Sequence, residues 1–201
     1  MAVSVHQGLA LGASFATQAR AGGQVEEPLA DAVRTALTSA VKNAAPPEPD
    51  FVDTPSRLAY LRWLGTTSEK LKKNKPEWHV RKEFLQTLWY ESRRAGLDTA
   101  LVLGLVQVES NFRKFAVSSA GARGYMQVMP FWTRSIGDGN ERALFHTQTQ
   151  LRFGCVILRY MLDRENGNLF FALGRYNGSR GQSAYPDAVL TAQKKWFQSV
   201  D

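Results

Sequence analysis

Residues 99–110 read Thr99-Ala-Leu-Val-Leu-Gly-Leu-Val-Gln-Val-Glu109-Ser110, and this stretch decides the fold class. Asp98 before it is a helix N-cap, since a side-chain oxygen there can accept from the free N–H groups of the first turn. Residues 100–106 are all apolar or glycine. A helix that is apolar on every side belongs inside a protein, wrapped by other helices. At 3.6 residues per turn, Glu109 falls on the face of Val102, Leu105 and Val106. Two readings of that carboxyl follow. Buried at the end of an apolar stripe, it would be hard to ionise and suited to general acid chemistry near neutral pH. If the helix instead surfaces at its C-terminus, Glu109 simply meets water or Arg113.

Helical signals are dense on both sides. Thr54-Pro55 reads as an N-cap with a first-turn proline, opening a helix to about Lys72. Pro76 starts another, striped by Val80, Phe84 and Leu88 and ended by Gly96. Thr147 with Gln150 reads as a capping box for a helix that stops before Gly167. A helix over about Leu169–Tyr176 follows, and Pro186 opens the last. Strand-like alternation is scarce and no internal repeat is found. The expected fold is all-α.

The N-terminal quarter differs. Residues 1–22 hold an apolar stretch from Leu9 to Ala16 and a small-residue Ala19-Arg20-Ala21 site, as in an export signal, but no Lys or Arg precedes the stretch. A mobile tail is the alternative. Residues 23–50 combine one isolated amphipathic helix over 24–43, with Val25, Leu29, Val33, Leu37 and Val41 spaced four apart, and a linker stiffened by Pro46, Pro47 and Pro49. Residues 51–93 then read as a helical prologue to a catalytic domain over 94–199.

Composition narrows the function. The chain has 201 residues, 44% apolar, with no run of the roughly 20 apolar residues that an integral membrane span needs. Cys155 and three histidines cannot build a Cys/His metal cage, and no phosphate loop or dinucleotide fingerprint occurs. No metal or cofactor is expected. The net charge of +7 divides as −2 over residues 1–50 and +9 over residues 51–201. That suits an anionic partner. Charge alone would also fit a nucleic-acid binder, which nothing else supports.

Beyond Glu109 lies a glycine-punctuated loop, then Gly124-Tyr125-Met126-Gln127-Val128-Met129-Pro130, and much later Arg175-Tyr176-Asn177-Gly178. Taken singly these are weak signals. In this order, from about Arg94 to Phe197, the chain resembles the catalytic domain of the soluble lytic transglycosylases, of lysozyme-like all-α fold. That family carries Glu-Ser at the end of an apolar helix, a Gly-Leu-Met-Gln-x-Met-Pro segment, a Gly-x-x-x-Leu helix (here Gly154 and Leu158), and Ala-Tyr-Asn before a glycine. The resemblance implies Glu109 as catalytic acid and base, with Ser110 supporting its placement and Tyr176 bonded to its carboxylate. It implies Ser118 and Gln127 as sugar hydrogen-bonders, Met126 and Met129 as groove lining, and Asn177 at the turn or substrate. Tyr125 in place of leucine would alter a subsite wall, and Arg175 in place of a small residue would bring a cation near the groove.

The implied activity is cleavage of peptidoglycan glycan strands with formation of 1,6-anhydro ends, outside the cytoplasm in the periplasm or cell envelope. Most glycosidases need two carboxylates. Ser110–Gly137 contains none, so one residue would have to serve as acid and then base. Two rivals stay open: a goose-type hydrolase using a carboxylate such as Asp138 to activate water, and a weakly active peptidoglycan-binding accessory protein of a secretion apparatus.

Overall fold

The computed structural model describes residues 23–42 and 49–197. The export-signal reading of residues 1–22 and the prolines at 46 and 47 lie outside these. Among the described residues the chain forms α1 (Asp31–Lys42), α2 (Thr54–Leu71), α3 (Trp78–Arg94), α4 (Thr99–Ser110), α5 (Phe131–Ile136), a 3-10 turn (Glu141–Phe145), α6 (Thr147–Arg164), α7 (Leu169–Asn177) and α8 (Ala184–Lys194). Extended pairing among them is limited to isolated bridges of Arg123 with Val117 and Val128. The fold is all-α.

Helix α4 is the centre. Nine of its twelve residues are buried, which is why it carries no polar face. Asp98 caps it, accepting from Ala100 N–H at 3.0 Å. Helix α8 crosses it backbone to backbone at Gly104, where a Cβ would stand 2.6 Å from Gln193 N and 3.0 Å from Val189 O. Only glycine permits that approach. Helix α3 packs on α4, α2 and α6, and fully buried Leu85 and Leu88 of α3 and Leu151 and Leu158 of α6 belong to the shared core. Cys155 is buried in α6.

Several local expectations shift. The α2 cap is Asp53, one residue earlier than Thr54, with Oδ1 accepting from Ser56 N–H at 2.7 Å. Helix α3 begins at Trp78 rather than Pro76. No capping box forms at Thr147: His146 is the cap, without a side-chain bond, because the Gln150 amide is fully buried and accepts from Tyr125 N–H instead. Helix α1 begins at Asp31, not residue 24, since Pro28 can neither donate to a helix nor leave its predecessor helical. Nor is α1 isolated. Leu37 and Val41 join the main core, and α1 packs on α5 and α6. Its C-terminal carbonyls accept from Arg94 (Ala40 O, 2.5 Å) and Arg152 (Val41 O, 3.4 Å).

Candidate active site

Helix α4 delivers Glu109 to the site from its last turn, where the helix is still deep: the residue is 5% exposed. Its Oε1 accepts a 2.5 Å hydrogen bond from Tyr185 Oη, while Oε2 is buried with no partner. Burial pushes this carboxyl up to about 8, opposed by the Tyr185 bond. An unpaired, half-satisfied acid in a dry place holds its proton at neutral pH. Of the two sequence readings, the buried carboxyl is the one the structure contains.

Tyr176 does not bond to Glu109. Its Oη donates to Met126 O at 2.8 Å, and the hydroxyl that reaches the carboxylate belongs to Tyr185, at the start of α8. Both tyrosines are raised well above the usual phenol value, first by burial and then by the nearby Glu109 charge. Tyr176 works instead on the facing loop. There Ser110 Oγ lies 2.8 Å from Tyr125 O, Tyr176 holds Met126 O, and Gln150 holds Tyr125 N–H. Three side chains from three helices thus fix three consecutive peptide units of this loop.

The same loop accounts for residues expected on a groove surface. Met126 is fully buried, its thioether packed where a side chain on Gly154 would collide with it. Gln127 is buried in left-handed backbone (φ 49°), and its Nε2 donates to Gly124 O (2.9 Å) and Ala116 O (3.2 Å). It shapes the loop and has no amide hydrogen left over for a sugar. Tyr125 is core rather than subsite wall: its ring packs on Phe84, and its hydroxyl accepts from buried Lys75 at 2.5 Å. Burial pulls that lysine down to about 8. Ser118 is half-buried and caps its own turn, accepting from Ala122 N–H. Met129 is half-buried at the loop's end. Asn177 Nδ2 donates to Ser179 Oγ, leaving Oδ1 buried and unpartnered. Arg175 is held by Glu165 at 2.7 Å and Glu27 at 3.4 Å.

Sequence reasoning missed two participants. Tyr185 carries no signal beyond its place next to Pro186. Gln24 lies in the segment misread as helix, yet is buried at this site. Its Oε1 accepts from Trp132 Nε1 (3.0 Å) and Met129 N–H (3.2 Å). Asp138, the candidate second carboxylate, faces a different cleft with Val41, Lys42, Asn140 and Phe153. Glu141 is bound to Arg123 and Arg134.

The family profile described as "Transglycosylase SLT domain" matches residues 88–196. A transglycosylase of Enterobacteria phage PRD1 is 32% identical over 115 residues, covering 54% of this chain and 42% of the phage protein. The membrane-bound lytic murein transglycosylase C of Mannheimia succiniciproducens is 45% identical over 49 residues, 24% of this chain and 14% of that protein. This chain therefore spans less than half the length of either relative. A solved lytic transglycosylase Slt from Pseudomonas aeruginosa matches 71% of this chain and 26% of its own, at 23% identity and a TM-score of 0.45.

Proposed function

This chain belongs to the transglycosylase SLT family, and on that premise we propose that it cleaves peptidoglycan glycan strands as a lytic transglycosylase with Glu109 as its one acid and base. The observation that carries the reading is the asymmetric carboxyl of Glu109. Tyr185 donates to Oε1, so the proton of the neutral acid belongs on Oε2, which no protein group engages. That proton has no acceptor in the protein and can pass to a glycosidic oxygen brought against Oε2.

In the first step Oε2–H protonates the leaving oxygen as its bond to C1 of N-acetylmuramic acid breaks. The substrate's own acetamido oxygen stabilises the positive charge growing at C1. The new Glu109 carboxylate keeps the Tyr185 hydrogen bond, which favours the charged form and eases the proton's departure. In the second step the C6 hydroxyl attacks C1, its proton returns to Glu109, and a 1,6-anhydro ring closes. No water is consumed, and the acid is restored. A second carboxylate is unnecessary, in keeping with Asp138 and Glu141 being engaged elsewhere. Among the described residues no helix is long and apolar enough to cross a membrane. The substrate places the enzyme's work in the cell envelope, and the basic charge beyond residue 50 suits anionic stem peptides.

The test is mass spectrometry of digested sacculi. Products one water lighter than hydrolytic fragments are expected. Reducing ends of full hydrolytic mass would replace the lytic reading with a hydrolase.

A further inference from the structure

The first described residues form a segment packed against Met129, Trp132 and the C-terminus of α7, beside the site just assigned. Residues 23–30 are non-helical and mostly exposed, with one exception: Gln24 is 6% exposed. An uncharged polar side chain is buried only where its hydrogen bonds are met. Its Oε1 meets two donors, the backbone N–H of Met129 and the indole Nε1 of Trp132. Its side chain also hydrogen-bonds toward the Tyr176 hydroxyl, partly opposing the burial that raises that phenol. On one side, Gly23 runs against the α7 C-terminus so closely that a side chain on Gly178 would strike Gly23 O, and one on Gly23 would stand 2.6 Å from Asn177 O. On the other, Glu27 binds Arg164 and Arg175 across a small cleft of about 100 Å³ that Val25 also lines.

The segment therefore touches Met129 N–H, the Tyr176 hydroxyl and the Asn177 backbone, and Tyr176 lies close enough to Glu109 to be raised by its charge. The chemistry of its buried end is specific. A carboxamide and an N-acetyl group present the same carbonyl acceptor beside the same planar nitrogen. In an N-acetyl sugar that nitrogen carries one hydrogen and the ring carbon. A primary amide in its place presents the same acceptor, as Gln24 Oε1 does to Met129 N–H and Trp132 Nε1. Beyond Gln24 the segment is held by the two partly exposed ion pairs of Glu27, weak and reversible clasps, before Leu29 rejoins the core.

We infer that residues 23–27 are a strap occupying the glycan groove, with the Gln24 carboxamide in the position of a sugar acetamido group, so that glycan binds by displacing it. The inference rests on the transglycosylase reading for the identity of the groove. A strap that is closed nine-tenths of the time lowers apparent glycan affinity about tenfold, and loosening it restores that factor.

The test uses the full chain and two variants. Gln24→Ala/Glu27→Ala removes both attachments. Glu27→Arg sets a cation beside Arg164 and Arg175 and leaves the buried end intact, so it stays informative if the double variant fails to fold. Affinity for a β-1,4-linked N-acetylglucosamine tetramer is measured by calorimetry, and kcat/KM by release of anhydro ends from sacculi. The expected result is about a tenfold rise in affinity and kcat/KM for the double variant and a smaller rise for Glu27→Arg, with kcat little changed. Release of anhydro ends by the wild type with no gain in either folded variant overturns the strap and leaves the activity standing. Tighter tetramer binding by the variants without any anhydro product upholds the strap and overturns the activity. Absence of both tetramer binding and product overturns both.

Discussion

Glu91 and Glu109 are both buried carboxyls near the C-terminal ends of core helices, 2% and 5% exposed, and their surroundings make them opposites. Glu91 Oε1 accepts from Arg152 Nε and Nη2 at 3.1 and 2.9 Å, and Oε2 faces Arg94 at 3.3 Å. Those arginines also hold the α1 carbonyls, so Glu91 is the anchor that joins α1, α3 and α6. Glu109 is given one phenol and no cation. Burial alone therefore does not make an acid catalyst. Glu91 spends its oxygens on two arginines that join helices, whereas the carboxyl of Glu109, with no cation beside it, is pushed up by burial.

The comparison breaks most sharply in activity. Glu109→Gln keeps the packing but can neither give nor take the proton, so cleavage of sacculi falls by at least about 10²–10⁴-fold. Stability moves the other way. Because the folded protein holds the Glu109 proton up to about 8 and the unfolded chain releases it in the ordinary carboxylate range, wild-type stability declines as pH rises between those limits, by up to about 1.4 kcal/mol per pH unit. Denaturant midpoints from pH 5 to 8 should show that slope in wild type and lose it in Glu109→Gln.

Glu91→Gln is the converse. It leaves Arg152 buried and uncompensated, which costs about 3–5 kcal/mol of stability in urea unfolding. The kcat of the folded fraction should hold. A Glu91 variant as inactive as Glu109→Gln while still folded would erase the distinction.

Smaller effects separate the two tyrosines. Tyr185→Phe removes the hydrogen bond that steadies ionised Glu109, about 1.5–3 kcal/mol or one to two decades in kcat. It also removes what holds the carboxyl down, so the alkaline limb of the rate profile moves to higher pH. Tyr176→Phe frees Met126 O and the Gln24 side chain, for about 1 kcal/mol of stability and no movement of that limb. If Tyr176→Phe shifts the limb and Tyr185→Phe does not, the assignments of the two phenols are reversed.

Much of this was legible in sequence, and the gaps have physical causes. The all-apolar run of α4 announces a central helix, and 3.6-residue spacing puts Glu109 on its buried face. The partner of Glu109 is 76 positions away, where Tyr185 is one aromatic among many; no local pattern encodes that meeting. Gln150 illustrates a local rule overridden by a tertiary demand, its amide drawn from capping to Tyr125 N–H. Met126, Tyr125 and Gln127 belong to the motif by sequence, but their side chains are buried and build the loop from within. Gln24 sits in a four-residue apolar spacing that mimics a helix, until Pro28 forbids one.

Glu109, pushed up to about 8 by burial, is expected to be a neutral acid at physiological pH. The direct measurement is a titration of the Glu109 carboxyl carbon by NMR in 13C-labelled protein, with the resonance assigned by its absence in Glu109→Gln. A midpoint near 8 is expected. A midpoint in the ordinary carboxylate range, with the protein folded, would contradict the account.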